Sequence, residues 1–89
     1  MNRVTIDCAA IGSKSDLHAA LAKALDFPAW YGGNLDALHD LLTAISADTT
    51  LILADWPEAE SLLGPYGKRV EKVMAVSALE NPRLTIEFC

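Results

Sequence analysis

An α/β chain with a three-stranded parallel sheet and four helices, in the order β-α-α-β-α-α-β, is what this sequence predicts, on two observations. Alternating apolar and polar residues stand near both ends and a continuous apolar run stands in the middle, which are strand patterns. Stretches with helical spacing or helix-starting residues separate each pair of strands, and crossovers of that length join parallel rather than antiparallel neighbours.

Taken in order, Arg3 to Cys8 alternates β-branched with polar residues and reads as a short strand. Ser13-Lys14-Ser15-Asp16 offers either of two serine caps and an early acid, after which Leu17, Ala20, Leu21, Ala24 and Leu25 lay down a helical stripe that Pro28 ends. His18 lies beside that stripe and is read as a partly buried or capping histidine, since no second ligand is near it in sequence. Asp48-Thr49-Thr50 turns into Leu51-Ile52-Leu53-Ala54, the pattern of a strand buried on both faces. Asp55 precedes Trp56-Pro57, which opens a short helix to Leu63, with Pro57 suited to its first turn. Gly64-Pro65-Tyr66-Gly67 is expected to turn. Val70, Val73, Met74 and Ser77 then mark the last helix, Asn81-Pro82 stops it, and Arg83 to Phe88 is a closing strand with the charges of an edge.

The stretch from Pro28 to Leu42 organises the rest. A proline, the aromatics Trp30 and Tyr31, and two glycines make a permissive loop with both aromatics expected at its surface. Asn34 is a good N-cap for the helix that follows. Helical spacing puts Leu35, Leu38, Leu41, Leu42 and Ile45 on one side and Asp36, His39, Asp40 and Thr43 on the other. Two carboxylates four residues apart repel, costing the isolated helix a few tenths of a kcal/mol. Set beside aromatics, they read as a contact surface, with rings supplying area and anions complementarity.

Composition bounds what such a surface can meet. The 89 residues, read as one domain over 1–89 and 52% apolar, can build a core. No run approaches the roughly 18 apolar residues of a membrane span. The start, Met1 to Ile6, leads straight into a strand pattern without a signal region, so a cytoplasmic chain is expected. Between Ala24 and Gly67 there is no lysine or arginine, while Asp26, Asp36, Asp40, Asp48, Asp55, Glu58 and Glu60 all fall there, within a net charge of -5. Such a field draws a basic partner and repels nucleic acid. Cys8 and Cys89 have no metal-ligand spacing to either histidine, and both are expected to be free thiols acting as small hydrophobes at strand ends. Neither a metal nor a cofactor is expected.

Trp30-Tyr31-Gly32-Gly33-Asn34-Leu35-Asp36-Ala37-Leu38-His39-Asp40 resembles, almost letter by letter, the aromatic-Tyr-Gly-x-Asn-Leu-Asp-Ala-Leu-x-Asp signature of the barstar family of intracellular ribonuclease inhibitors. Ser15-Asp16-Leu17-His18 and Leu84-Thr85-Ile86 extend the resemblance along nearly the whole chain. It implies a fold that plugs a ribonuclease active site with the central helix and the loop before it. On that resemblance Asp40 takes the place of a substrate phosphate, Asp36 is a second acidic contact and Trp30 packs near the catalytic histidine. Gly32, Asn34, Leu35 and Thr43 match backbone-approach or rim positions, and Tyr31 and His39 join them as partner contacts. The chain departs from the member that gives the family its name at His39, where that member has a tryptophan, at Ala44 and Ile45, which replace a further aromatic position, and at Val76 and Ser77, where it has a contacting glutamate. The implied partner is a basic ribonuclease of extracellular or toxin type, met in an immunity or antitoxin role by an inhibitor that is monomeric when free.

Two other classes stay open at this point. One is a small acidic interaction module for a basic partner other than a ribonuclease. Asp36, His39 and Asp40 could instead serve as acid, base or metal ligands of an enzyme, although no nucleophile elbow or phosphate loop accompanies them. Gly64 to Arg69 superficially matches a Gly-x-x-Gly nucleic-acid clamp, against the acidic balance of the chain.

Overall fold

The structure is a computed structural model and describes residues 2–89. Strand β2 (Thr49–Ala54) is the centre of a parallel sheet, hydrogen-bonded on one side to β1 (Asn2–Asp7) and on the other to β3 (Leu84–Phe88). Val4, Leu51 and Ile86 stand level across it, as do Ile6, Leu53 and Phe88. Helices α1 (Lys14–Leu25) and α2 (Leu35–Thr43) connect β1 to β2, and α3 (Trp56–Leu63) and α4 (Pro65–Glu80) connect β2 to β3. The predicted order β-α-α-β-α-α-β is therefore the observed one.

Local chemistry sets the helix ends. Ser13, the first of the two candidate serines, accepts the Asp16 N–H at 3.1 Å as the α1 cap. That helix stops at Asp26, which takes the left-handed conformation at φ 54°, two residues before Pro28. Pro57 sits in the first turn of α3 as expected.

Leu17 and Leu21 of α1, Leu38 and Leu42 of α2, Leu51 and Leu53 of β2, and Val70 and Met74 of α4 are fully buried together. Each such leucine contributes on the order of 1.5–3 kcal/mol of burial free energy. The sheet is covered mainly on the face that Leu51 and Leu53 occupy, while Ile52 on the other face is only half-buried. Burial of β2 on both faces, expected from its unbroken apolar run, is thus corrected: an apolar run records what a strand tolerates, and one well-covered face suffices to hold it.

Three further boundaries differ from expectation. The Asp48-Thr49-Thr50 turn gives way early, because Thr49 and Thr50 already pair with β1 and β3. Gly64-Pro65-Tyr66-Gly67 is not a free turn but the junction of two helices, with Gly64 at φ 61° and Pro65 in the first turn of α4. Gly67 is buried there because a Cβ would lie 3.1 Å from Glu60 Cα, so its lack of a side chain lets α3 and α4 close. Cys8 opens a short 3-10 turn, Cys8–Ala10, and is buried, whereas Cys89 is exposed and not part of any core. Among the described residues no helix is long and apolar enough to cross a membrane.

Candidate partner interface

The loop between α1 and α2 divides its two aromatics between inside and outside. Tyr31 packs edge-on against Phe27, with ring centroids 4.9 Å apart, and its hydroxyl meets His18 Nδ1. Its backbone N–H donates to the Pro28 carbonyl at 2.9 Å. With its neighbour pinned in this way, Trp30 stands out at 73% exposure. The expectation of two surface aromatics holds for Trp30 and fails for Tyr31, which is half-buried because its polar tip finds a partner under the loop.

Gly33, at φ 66°, swings the chain into α2 through a backbone conformation that a side chain would strain. Asn34 follows as the cap, its Oδ1 accepting the Ala37 N–H at 2.8 Å. Gly32 lies beside that cap, with room for a Cβ only 3.0 Å from the Asn34 side-chain nitrogen. Leu38 and Leu42 then anchor the underside of α2, so Asp36 and Asp40 are held facing solvent on a rigid support. The Thr43 hydroxyl is turned to its own helix, donating to the His39 carbonyl at 2.8 Å.

A groove of about 360 Å³ separates α2 from α4, lined by Leu35, Asp36, His39 and Asp40 on one side and by Lys72, Val73 and Val76 on the other. His39 spans it, its Nε2 bonded to the Glu80 carboxylate, while its Nδ1 is 3.9 Å from Asp40. Behind the groove, buried Asn81 donates to the carbonyls of Leu42 at 2.9 Å and Ile45 at 3.0 Å. The Leu42 carbonyl also accepts the Ile45 N–H at 3.4 Å, and with the Ile45 carbonyl just past the helix it lets Asn81 tie the end of α2 to the end of α4.

The charges on this surface are left available. Among the described residues neither Asp36 nor Asp40 pairs with a lysine or arginine, whereas Asp48 is bonded to Arg83 at 3.1 Å and Glu60 lies 3.9 Å from Lys68. No group of three or more histidine, cysteine or carboxylate side chains among the described residues could hold a metal ion. The structure brings Leu35, Asp36, His39 and Asp40 together on one wall of the groove and leaves Trp30 exposed in the loop that precedes α2. Gly32, Tyr31 and Asn34 shape the loop beneath them. Glu80 and Asn81 were missed as site residues, since nothing local to them in sequence points at α2.

A family model described as Barstar (barnase inhibitor) matches residues 1–87. The chain belongs to the barstar family. A Bacillus subtilis (strain 168) protein that bears the name "Putative ribonuclease inhibitor YrdF" is 37% identical over 75 residues, covering 83% of this chain and 82% of that protein. The run from Trp30 to Asp40 that carries the family signature is, in space, the loop and first turns of α2. The family is one of inhibitors, so an enzyme built on Asp36, His39 and Asp40 is set aside. The Gly-x-x-Gly reading falls as well, because Gly67 is buried between helices rather than offered to a backbone.

Proposed function

We propose that the chain inhibits a barnase-type ribonuclease by seating α2 and the Trp30 loop in the enzyme's active site, where Asp40, aided by Asp36, imitates an RNA phosphate. The observation that carries this reading is the pair of carboxylates, with no lysine or arginine partner among the described residues, on the solvent side of a helix anchored in the core and preceded by a loop with an exposed indole. A site built to hold phosphate is lined with cations, and a fixed carboxylate satisfies them without presenting a bond to cleave. Trp30, Leu35, His39 and Thr43 would meet the rim, while Gly32, Tyr31 and Asn34 hold the loop in shape for the encounter. The family match and the name of the Bacillus subtilis relative support the class of partner. The reading includes a cytoplasmic chain, monomeric until it meets a basic extracellular or toxin ribonuclease, in an immunity or antitoxin role.

The test is to titrate the chain into ribonucleases of its own cell. Stoichiometric inhibition that a phosphate-bearing nucleotide relieves competitively is the expected result. Failure to complex any of them would overturn the proposal.

A further inference from the structure

His18 is 5% exposed and lies where three elements meet: α1, which carries it, the loop that bears Trp30, and the start of α4. Both ring nitrogens are engaged. Nδ1 meets the Tyr31 hydroxyl, and Nε2 meets the Tyr66 hydroxyl at 2.6 Å. A neutral imidazole has one N–H and one bare nitrogen, so one phenol accepts from it and the other donates to it. This network is the polar tie between the loop and the rest of the molecule, since Tyr31 is otherwise held by its ring against Phe27 and by one backbone bond.

We infer that His18, backed by Tyr66, is the positioning residue of the contact loop: it holds Tyr31, and through Tyr31 the placement of Trp30, and it gives up that hold on protonation. That this loop is the contact surface rests on the inhibitor reading; the hold itself does not.

The chemistry follows from proton count. A protonated ring has two N–H donors, so the phenol that had donated to the ring must turn its own proton away from it, and the buried ring must hold a cation. The titratable groups facing the ring are Tyr31 from the loop, Tyr66 from α4 and, over the Tyr66 ring at 4.6 Å, the Lys14 ammonium of α1. No carboxylate among the described residues bonds the ring, so a buried cation there is uncompensated. In agreement, burial holds the His18 pKa below the ordinary histidine value, and burial raises both phenols, Tyr31 to about 12. A histidine with a lowered folded pKa contributes stability that is present above the unfolded value, near 6.5, and is lost as pH falls through the folded one. The loop is thus ordered at neutral pH and released in acid.

The experiment is nuclear magnetic resonance on the free protein, needing no ribonuclease. Side-chain 15N shifts of His18 report its protonation while 15N relaxation reports order at residues 29–33, from pH 7.5 to 5. Order parameters near 0.85 at pH 7.5 should fall below about 0.6 in step with His18 protonation while β2 stays rigid. His18→Gln can still bond Tyr31 but cannot take up a proton, so its loop order should be flat with pH. Tyr66→Phe removes only a half-buried hydroxyl, leaves the fold readable, and should lower loop order already at pH 7.5. Loop order that ignores His18 protonation, or that Tyr66→Phe leaves unchanged, would overturn the inference whatever the partner proves to be.

Discussion

His39 of α2 and Glu80 of α4 meet ring nitrogen to carboxylate across the groove, so the helix that carries the proposed contact surface is tied to α4. Both partners are partly exposed, at 36% and 52%, which limits the contribution to about 0.2–1 kcal/mol. A double-mutant cycle of His39→Gln and Glu80→Gln, followed by urea unfolding, should return a coupling in that range. Zero coupling would show that the contact does not persist in solution.

A second pair sits between α3 and α4. Glu71 accepts the Trp56 indole N–H at 2.6 Å and shares a hydrogen bond with Glu60. The hydrogen bond with Glu71 raises the Glu60 pKa and lowers that of Glu71, so Glu60 is the one of the two that takes up a proton first as pH falls. For a carboxyl with a raised folded pKa, the stabilisation is present below the unfolded value and is lost as pH rises through the folded one. Glu60→Gln keeps a donor there at every pH. Its thermal midpoint should exceed wild type at pH 7 and converge with it below the ordinary carboxylate range; an offset independent of pH would contradict the shared proton.

Gly67 puts two magnitudes in competition. Alanine gains about 1 kcal/mol over glycine inside a helix, but its Cβ would lie 3.1–3.2 Å from Glu60 backbone atoms that cannot give way cheaply. Overpacking costs roughly 1–3 kcal/mol, so Gly67→Ala should be net destabilising in chemical denaturation. A more stable variant would mean that α3 and α4 are free to separate.

Much of the fold was legible because its signals are local. The Asn34 cap lies three residues from the N–H it accepts, and the Leu38 and Leu42 stripe declares the buried side of α2 by spacing alone. The contacts that tune the site were not legible for the same reason. His39 to Glu80 spans 41 residues, His18 to Tyr66 spans 48 and Asn81 to Leu42 spans 39, and no periodicity links such pairs. Tyr31 was misplaced at the surface because an aromatic beside glycines gives no hint of the buried histidine beneath it.

The thiols differ in a way that the strand order explains. Cys8 and Cys89 lie at the same end of the sheet but follow β1 and β3, with β2 between them. Two strand spacings amount to roughly 9–10 Å, beyond the reach of a disulfide without backbone movement. Burial, with the charges of Asp7 and Asp55, pushes the Cys8 thiol up to about 11. Native protein at pH 8 should show one fast thiol, Cys89, and a second only on unfolding; equal rates for both would contradict the buried placement of Cys8.

Asp40 is the centre of the proposed phosphate mimicry, and inhibition by Asp40→Ala compared with Glu58→Ala tests that role most directly. Both residues are exposed acids in the lysine-free and arginine-free segment, but only Asp40 stands on α2, the helix that follows the Trp30 loop. Removing an anion that neutralises buried cations costs roughly 2–5 kcal/mol, a range drawn from interfaces of this family's own kind. Against a barnase-type ribonuclease of the same cell at physiological salt, Asp40→Ala should lose about 30-fold to several thousand-fold in affinity. Glu58→Ala should change affinity little and mainly slow association at low salt. Equal losses in the two variants would contradict phosphate mimicry and leave only a diffuse acidic field.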